Sequence, residues 1–164
     1  PTRRSSDLHG SSTVPGYIVE EINALGGNIQ NAHGISIEEL KAAIPCGIGK
    51  INVDTDIRLA VTRNMKEYFA QHPEKRNSPS IGGVYQLLEE KREQFDPRAF
   101  LPPIMDTVMY GMVPDKDRAE LVEVIEKGVK EAIGTLIVEF GSYGKAPLVE
   151  QVSLEEMAER YKRM

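Results

Sequence analysis

Two short stretches hold the residue types that could do chemistry. One is Leu8-His9-Gly10-Ser11-Ser12-Thr13-Val14-Pro15, and the other is Gly49-Lys50-Ile51-Asn52-Val53-Asp54-Thr55-Asp56-Ile57-Arg58-Leu59-Ala60. Read with period two, Ile51 and Val53 in the second stretch point one way, and Lys50, Asn52 and Asp54 point the other. That predicts a short strand with a polar inner face. From Thr55 the spacing becomes helical, through Ile57, Ala60, Val61, Met65, Tyr68 and Phe69. Asp54 or Thr55 is placed to cap this helix, and Asp56 lies in its first turn, where a carboxylate suits the dipole. A strand that ends in Asn, Asp and Thr and turns at once into a helix offers free N–H groups beside polar side chains. Such a turn suits an anionic group, and equally suits a plain cap facing solvent.

In the first stretch His9 stands where a strand would end, small residues follow, and Pro15 stands where a helix would begin. Gly10 allows close backbone approach, and Ser11, Ser12 and Thr13 offer hydroxyls and N–H groups to a phosphate. His9 reads either as a metal ligand or as a hydrogen-bonded structural histidine. His33 reads as a loop residue and His72, before Pro73, as a helix-end residue. Cys46 reads as a small buried residue, since no base is spaced to activate it. The six methionines read as core filler.

The elements that must position these residues follow βα alternation. Ile18, Val19, Ile22 and Leu25 predict a helix that stops at Gly26-Gly27. Ser36 and Glu39 form a capping-box pattern before a short second helix ending near Pro45-Cys46-Gly47. The strand and helix of the second stretch come next, so a parallel sheet is implied. Only one complete strand is visible, so the sheet calls for partners outside this sequence. A polar linker or surface loop spans 73–83. Beyond it come a helix from Val84 to Arg92, another from Asp96-Pro97 to about Met112, and a long one from Pro114-Asp115 to about Phe140. The long helix buries Leu121, Val124, Ile125, Val129, Ala132, Ile133, Leu136 and Ile137. Ser153 and Glu156 open a terminal helix that runs to Met164.

With 164 residues, the chain is long enough for one domain with a core, and its 40% apolar and 27% charged fractions are those of a soluble globular protein. A net charge of −5 without a basic face argues against nucleic-acid binding. A single cysteine excludes an intrachain disulfide and suits a reducing cytoplasm. No apolar run reaches membrane-spanning length, and the opening residues have no signal-peptide pattern. Residues 1–7 are polar and aperiodic, and Thr2 to Leu8 match a reading frame of a common sequencing adapter. The expectation is a non-native or disordered tail at 1–7, with the natural chain continuing upstream of Leu8. Residues 8–72 then form βα units, 73–83 a loop and 84–164 a helical extension.

Taken together, Leu8-His9-Gly10-Ser11-Ser12 and Gly47 to Ala60 resemble the last two βα units of class II, metal-dependent fructose-bisphosphate aldolase. Phe95-Asp96-Pro97-Arg98, Phe140-Gly141-Ser142-Tyr143-Gly144 and Val152 to Tyr161 resemble that family's C-terminal landmarks. The stretch from Asn77 to Arg92 and the long helix after Pro114 are less typical of it. The resemblance implies an α/β fold, namely the C-terminal fragment of a TIM (β/α)8 barrel with a helical extension and its site at the strand C-termini. It implies a lyase of glycolysis and gluconeogenesis that cleaves fructose 1,6-bisphosphate reversibly. A tagatose-bisphosphate aldolase, or a non-catalytic phosphate-binding or assembly protein, are the alternatives. His9 matches a ligand of a Zn2+ ion, and Asn52 the catalytic residue that hydrogen-bonds the enediolate. Gly10, Ser12, Asp54 and Thr55 match the phosphate loops, with a monovalent cation (Na+ or K+) nearby. Arg58 matches an arginine that reaches the second phosphate, the alternative being a surface ion pair. The family's acid–base aspartate and its other zinc histidines have no counterpart in this sequence, so the piece alone is expected to be inactive. A cytoplasmic homodimer or homotetramer acting on sugar phosphates is implied for the full-length protein.

Overall fold

The computed structural model describes residues 6–163. Two short strands, β1 (Ser6–Leu8) and β2 (Ile48–Ile51), pair in parallel, with Asp7 opposite Lys50 and Leu8 opposite Ile51. Between them run α1 (Gly16–Ala24) and α2 (Ile37–Ala43), the crossover that parallel pairing requires. After β2 come α3 (Thr55–Gln71), α4 (Gly82–Glu90), α5 (Met105–Tyr110), α6 (Lys116–Glu139) and α7 (Leu154–Lys162). No helix among the described residues is long and apolar enough to cross a membrane.

The chain is organised around α3, which is enclosed on several sides. One face packs Val61, Met65, Tyr68 and Phe69 against Ile81, Val84, Leu88, Phe100, Ile104 and Leu121. The other sets Leu59 and Ala60 against Ile18, Ile22, Ile29 and Ala132. Helix α6 approaches α3 closely at Gly128. A Cβ built there would lie 2.8 Å from the Val61 Cα, so only glycine permits this contact.

Several local signals hold. Ser36 and Glu39 form a reciprocal capping box, Asp115 caps α6 through the Arg118 N–H, and Ser153 caps α7 through the Glu156 N–H. Other expectations need correction. The second strand begins at Ile48 and ends at Ile51, so Asn52, Val53 and Asp54 lie beyond it in the turn. The strand expected to end at His9 begins inside the segment assigned to a tail, because Ser6 and Asp7 pair with β2; residues 1–5 of that tail, and Met164, lie outside the described residues.

The helix expected over 96–112 is broken. Pro102 and Pro103 interrupt it, leaving 3-10 turns at Pro97–Ala99 and Pro102–Ile104 before α5. The 73–83 segment is not a free surface loop, since it carries a 3-10 turn at Pro73–Asn77 and a fully buried Ile81. Ile133 and Ile137, expected on the buried face of α6, are 41% exposed, because α3 ends its packing with α6 near Ala132. Cys46 is exposed. Met65 is buried and Met105 packs against the core, but Met109, Met112 and Met157 face solvent.

Candidate functional site

The two stretches meet at the C-terminal ends of β1 and β2. Parallel pairing puts His9, the residue after β1, beside Asn52, the residue after β2. Asn52 Nδ2 lies 3.4 Å from His9 Nδ1. The Asn52 amide also donates to Leu8 O at 2.9 Å and to Asp7 Oδ1 at 2.6 Å, and its backbone N–H donates to Leu8 O. His9 is largely exposed, and its Nε2 lies 3.4 Å from Asp7 Oδ2. Lys50 donates to Asp7 at 3.0 Å and holds that carboxyl below the usual range.

The loop after β1 is fastened on three sides. Ser11 is fully buried, and its hydroxyl donates between Asn52 O, at 2.7 Å, and Leu8 O, at 3.1 Å. The Ser12 carbonyl accepts from Ile35 N, and Gly34 lies so close that a Cβ there would fall 2.4 Å from Ser12 O and 2.3 Å from Thr13 O. Thr13 donates its N–H to both oxygens of Asp56, at 3.1 and 3.0 Å, and its hydroxyl to the same carboxylate. Gly10 has φ +67°, which glycine adopts freely. Val14 has φ +49°, a strained value for a β-branched residue, at the point where the loop turns into α1.

Neither of the expected caps holds the start of α3. Asp54 stands at the N-cap position without a capping bond from its side chain. Instead, Ser12 Oγ accepts from Asp54 N at 3.1 Å and Thr55 N at 3.0 Å. Asp54 turns outward to Arg58, one turn along α3. Arg58 donates through Nε to Asp54 at 2.9 Å, pairs with it again through Nη2, and donates through Nη1 to Asp96 at 2.9 Å. Arg98 and then Arg58 hold the Asp96 carboxyl below its ordinary range. Asp54, Arg58, Asp96 and Arg98 thus form an alternating string of charges beside the α3 start.

Of the residues singled out from sequence, His9 meets Asn52, Ser12 meets Asp54 and Thr55, Gly10 lies between His9 and Ser12 in the same loop, and Arg58 stands one turn along α3. His33 lies in an exposed loop and His72 at the end of α3. Among the described residues no group of three His, Cys, Asp or Glu side chains could hold a metal ion. A cavity of about 650 Å³ lies elsewhere, between α1, α3 and α6, lined in part by Thr13, Asp56, Arg63 and Leu136. It contains none of the residues at the strand ends.

The chain matches the family model described as class-II fructose-bisphosphate aldolase over residues 7–145. It belongs to the class-II fructose-bisphosphate aldolase family. The fructose-bisphosphate aldolase of Xanthobacter flavus is 32% identical over 154 residues, covering 94% of this chain and 32% of the relative. That of Giardia intestinalis is 34% identical over 155 residues, covering 94% of this chain and 36% of the relative. The Thermus caldophilus enzyme of the same name is 40% identical over 101 residues, covering 62% of this chain and 27% of the relative. The chain thus spans about a third of the length of these aldolases. The family match includes the loops after both strands.

Reading the sequence missed Gly34, gave Ser11 a hydroxyl for a phosphate that the structure instead buries against Asn52 O and Leu8 O, and placed Asp56 in the first turn of α3 without its bonds to Thr13. Ser11 and Asp56 carried a usable signal, since each is a polar residue directly beside a predicted ligand-binding position. Gly34 carried none, because its role depends on the crossover folding back onto the loop.

Proposed function

We propose that the chain supplies the last two βα units of a TIM (β/α)8 barrel, and that the protein containing it catalyses reversible aldol cleavage of fructose 1,6-bisphosphate. The products are dihydroxyacetone phosphate and glyceraldehyde 3-phosphate. One observation above others supports this reading. His9 and Asn52 stand 3.4 Å apart at neighbouring strand ends, with a loop of small residues and the start of α3 beside them. In such barrels the C-terminal strand ends hold the reacting groups.

Cleavage breaks the C3–C4 bond. The C4 hydroxyl gives up its proton as that carbon becomes an aldehyde, and the electron pair remains on the C2–C3 unit, where the carbonyl oxygen gains negative charge. In this reading the Asn52 amide would donate to that oxygen, leaving its present acceptor Asp7. A phosphate would sit at Gly10, Ser12, Asp54 and Thr55. It would take the two N–H groups now held by Ser12 Oγ, and the freed hydroxyl would donate to the same anion. Arg58 would bind the second phosphate through its guanidinium fork in place of one carboxylate.

The family implies a zinc ion. A zinc site needs three or four donors, and the described residues hold no group of three His, Cys, Asp or Glu side chains around His9, so this chain's residues do not by themselves make the site. A monovalent cation near Asp54 and a homodimeric or homotetrameric cytoplasmic protein belong to the same proposal.

The test is a chimera in which residues 8–164 replace the matching segment of the Xanthobacter flavus relative. It is expected to cleave fructose 1,6-bisphosphate, and Asn52→Ala to lower kcat about 100-fold with a smaller change in KM. A folded chimera without aldol cleavage would refute the reading. A side-by-side kcat/KM for tagatose 1,6-bisphosphate decides the sugar. The 164-residue chain alone is expected to be inactive.

A further inference from the structure

Asp56 is 4% exposed, yet no Lys, Arg or His among the described residues forms an ion pair with it. A buried carboxylate without a cation is costly unless hydrogen bonds compensate for the lost water. Here the compensation comes from Thr13, 43 residues away in sequence, through its N–H to both carboxylate oxygens and through its hydroxyl. Asp56 stands in the first turn of α3 and Thr13 at the end of the loop after β1. The bond therefore ties the loop after β1 to the first turn of α3. It engages the Thr13 N–H, while the neighbouring Ser12 hydroxyl accepts from Asp54 N and Thr55 N at the α3 start. A neutral residue would be easier to bury at position 56. What the charge adds is a stronger, two-oxygen hold on one amide.

We propose that Asp56 is a positioning residue for the phosphate site. By clamping Thr13 to α3, it keeps the Gly10–Ser12 amides directed at the ligand. This inference rests on the phosphate reading given above. Removing the clamp frees the loop without emptying the core. Asp56→Ala removes a buried carboxylate that has no cation, but also the acceptors of Thr13, so phosphate binding is expected to fall further than stability. A residue that merely supported the fold would show the opposite pattern.

The experiment uses the 164-residue chain, with inorganic phosphate as the probe. Amide hydrogen exchange at Thr13, binding by NMR titration and the thermal midpoint are measured for wild type, Asp56→Ala and Asp56→Asn. Asp56→Ala is expected to speed Thr13 exchange at least about tenfold and to weaken phosphate binding about tenfold, with only a small change in the midpoint. Asp56→Asn, which keeps one acceptor for the Thr13 N–H, is expected to recover part of both losses. Unchanged Thr13 exchange and unchanged binding in Asp56→Ala overturn the proposal. So does a lowered midpoint with unchanged binding. If wild type binds no phosphate, the phosphate reading fails, and with it the ligand half of this proposal. The clamp itself is then decided by Thr13 exchange, which a Thr13→Val variant reports independently through Ser12 exchange.

Discussion

Ser12 Oγ accepts a hydrogen bond from Thr55 N at 3.0 Å, so the loop that follows one strand caps the helix that follows the next. Most helix caps come from the residue just before the helix. This one comes from 43 residues upstream, and it couples the order of the loop to the first turn of α3. Ser12→Ala is expected to cost about 1 kcal/mol, the usual value of a cap. The loss should be concentrated in exchange of the Asp54 and Thr55 amides. Ser12→Thr, which retains the hydroxyl, should restore most of their protection.

Asp7 occupies the Asn52 amide at 2.6 Å and also holds Lys50. If Asn52 serves a ligand, Asp7 competes with that ligand. Asp7→Val keeps the strand and releases one Asn52 N–H. It is expected to tighten binding of dihydroxyacetone phosphate by about threefold, near the worth of one neutral hydrogen bond. Isothermal titration of the two chains measures the difference, and weaker binding in Asp7→Val would count against Asn52 as a ligand donor.

Gly34 lies under the same loop. A methyl group there would meet the carbonyl oxygens of Ser12 and Thr13 at under 3.0 Å, and both are backbone atoms that cannot swing away. Gly34→Ala is therefore expected to displace residues 11–13 and destabilise the chain by about 1–3 kcal/mol, the range for overpacking. Urea unfolding gives the energy, and the amide shifts of Ser12 and Thr13 locate the change.

The pH dependence of stability should trace to the cluster around Lys75. Lys75 donates to Asp117 at 2.6 Å and pairs with Glu120 at 3.1 Å, while Tyr68 donates to Glu120 at 2.9 Å. The Lys75 bond lowers the Asp117 carboxyl, and the Tyr68 and Lys75 bonds lower that of Glu120. Groups lowered on folding stabilise above their unfolded values, near pH 4, and lose that contribution as pH falls through the folded ones. Lys75 is raised, chiefly by the Asp117 bond, and Tyr68 is raised by burial and then by Glu120. Their contributions are full below about pH 10 and fade above it. The thermal midpoint should therefore be flat between about pH 5 and 9 and fall on both sides. Asp117→Asn should lower the plateau and soften the acid edge.

The meeting of the two loops was legible in the sequence, because their residues sit where a period-two pattern changes to a helical one. His9 and Asn52 follow strands, and parallel pairing alone brings such positions together. The helices α1, α2 and α6 were legible from caps and apolar spacing, Ser36 with Glu39 being the clearest case. The broken helix at Pro102-Pro103 shows where local pattern misled: apolar residues at helical spacing lay on either side of a pair that cannot donate backbone hydrogen bonds. Ile81 failed differently. Its neighbours Pro79, Gly82 and Gly83 signal a loop, but its burial depends on Phe69 and Phe100, distant in sequence. Asp56 and Thr13 show the same limit, since nothing local tells a carboxylate to reach back 43 residues for an amide.

The two strands share only three paired positions, whereas α3 is wrapped by apolar side chains from α1, α4 and α6. Cooperative melting of this chain will accordingly report the helical assembly and stay nearly silent about the ground on which His9 and Asn52 stand. A sharp, high transition would certify the scaffold alone; the condition of the two loops has to be followed amide by amide, at temperatures far below it.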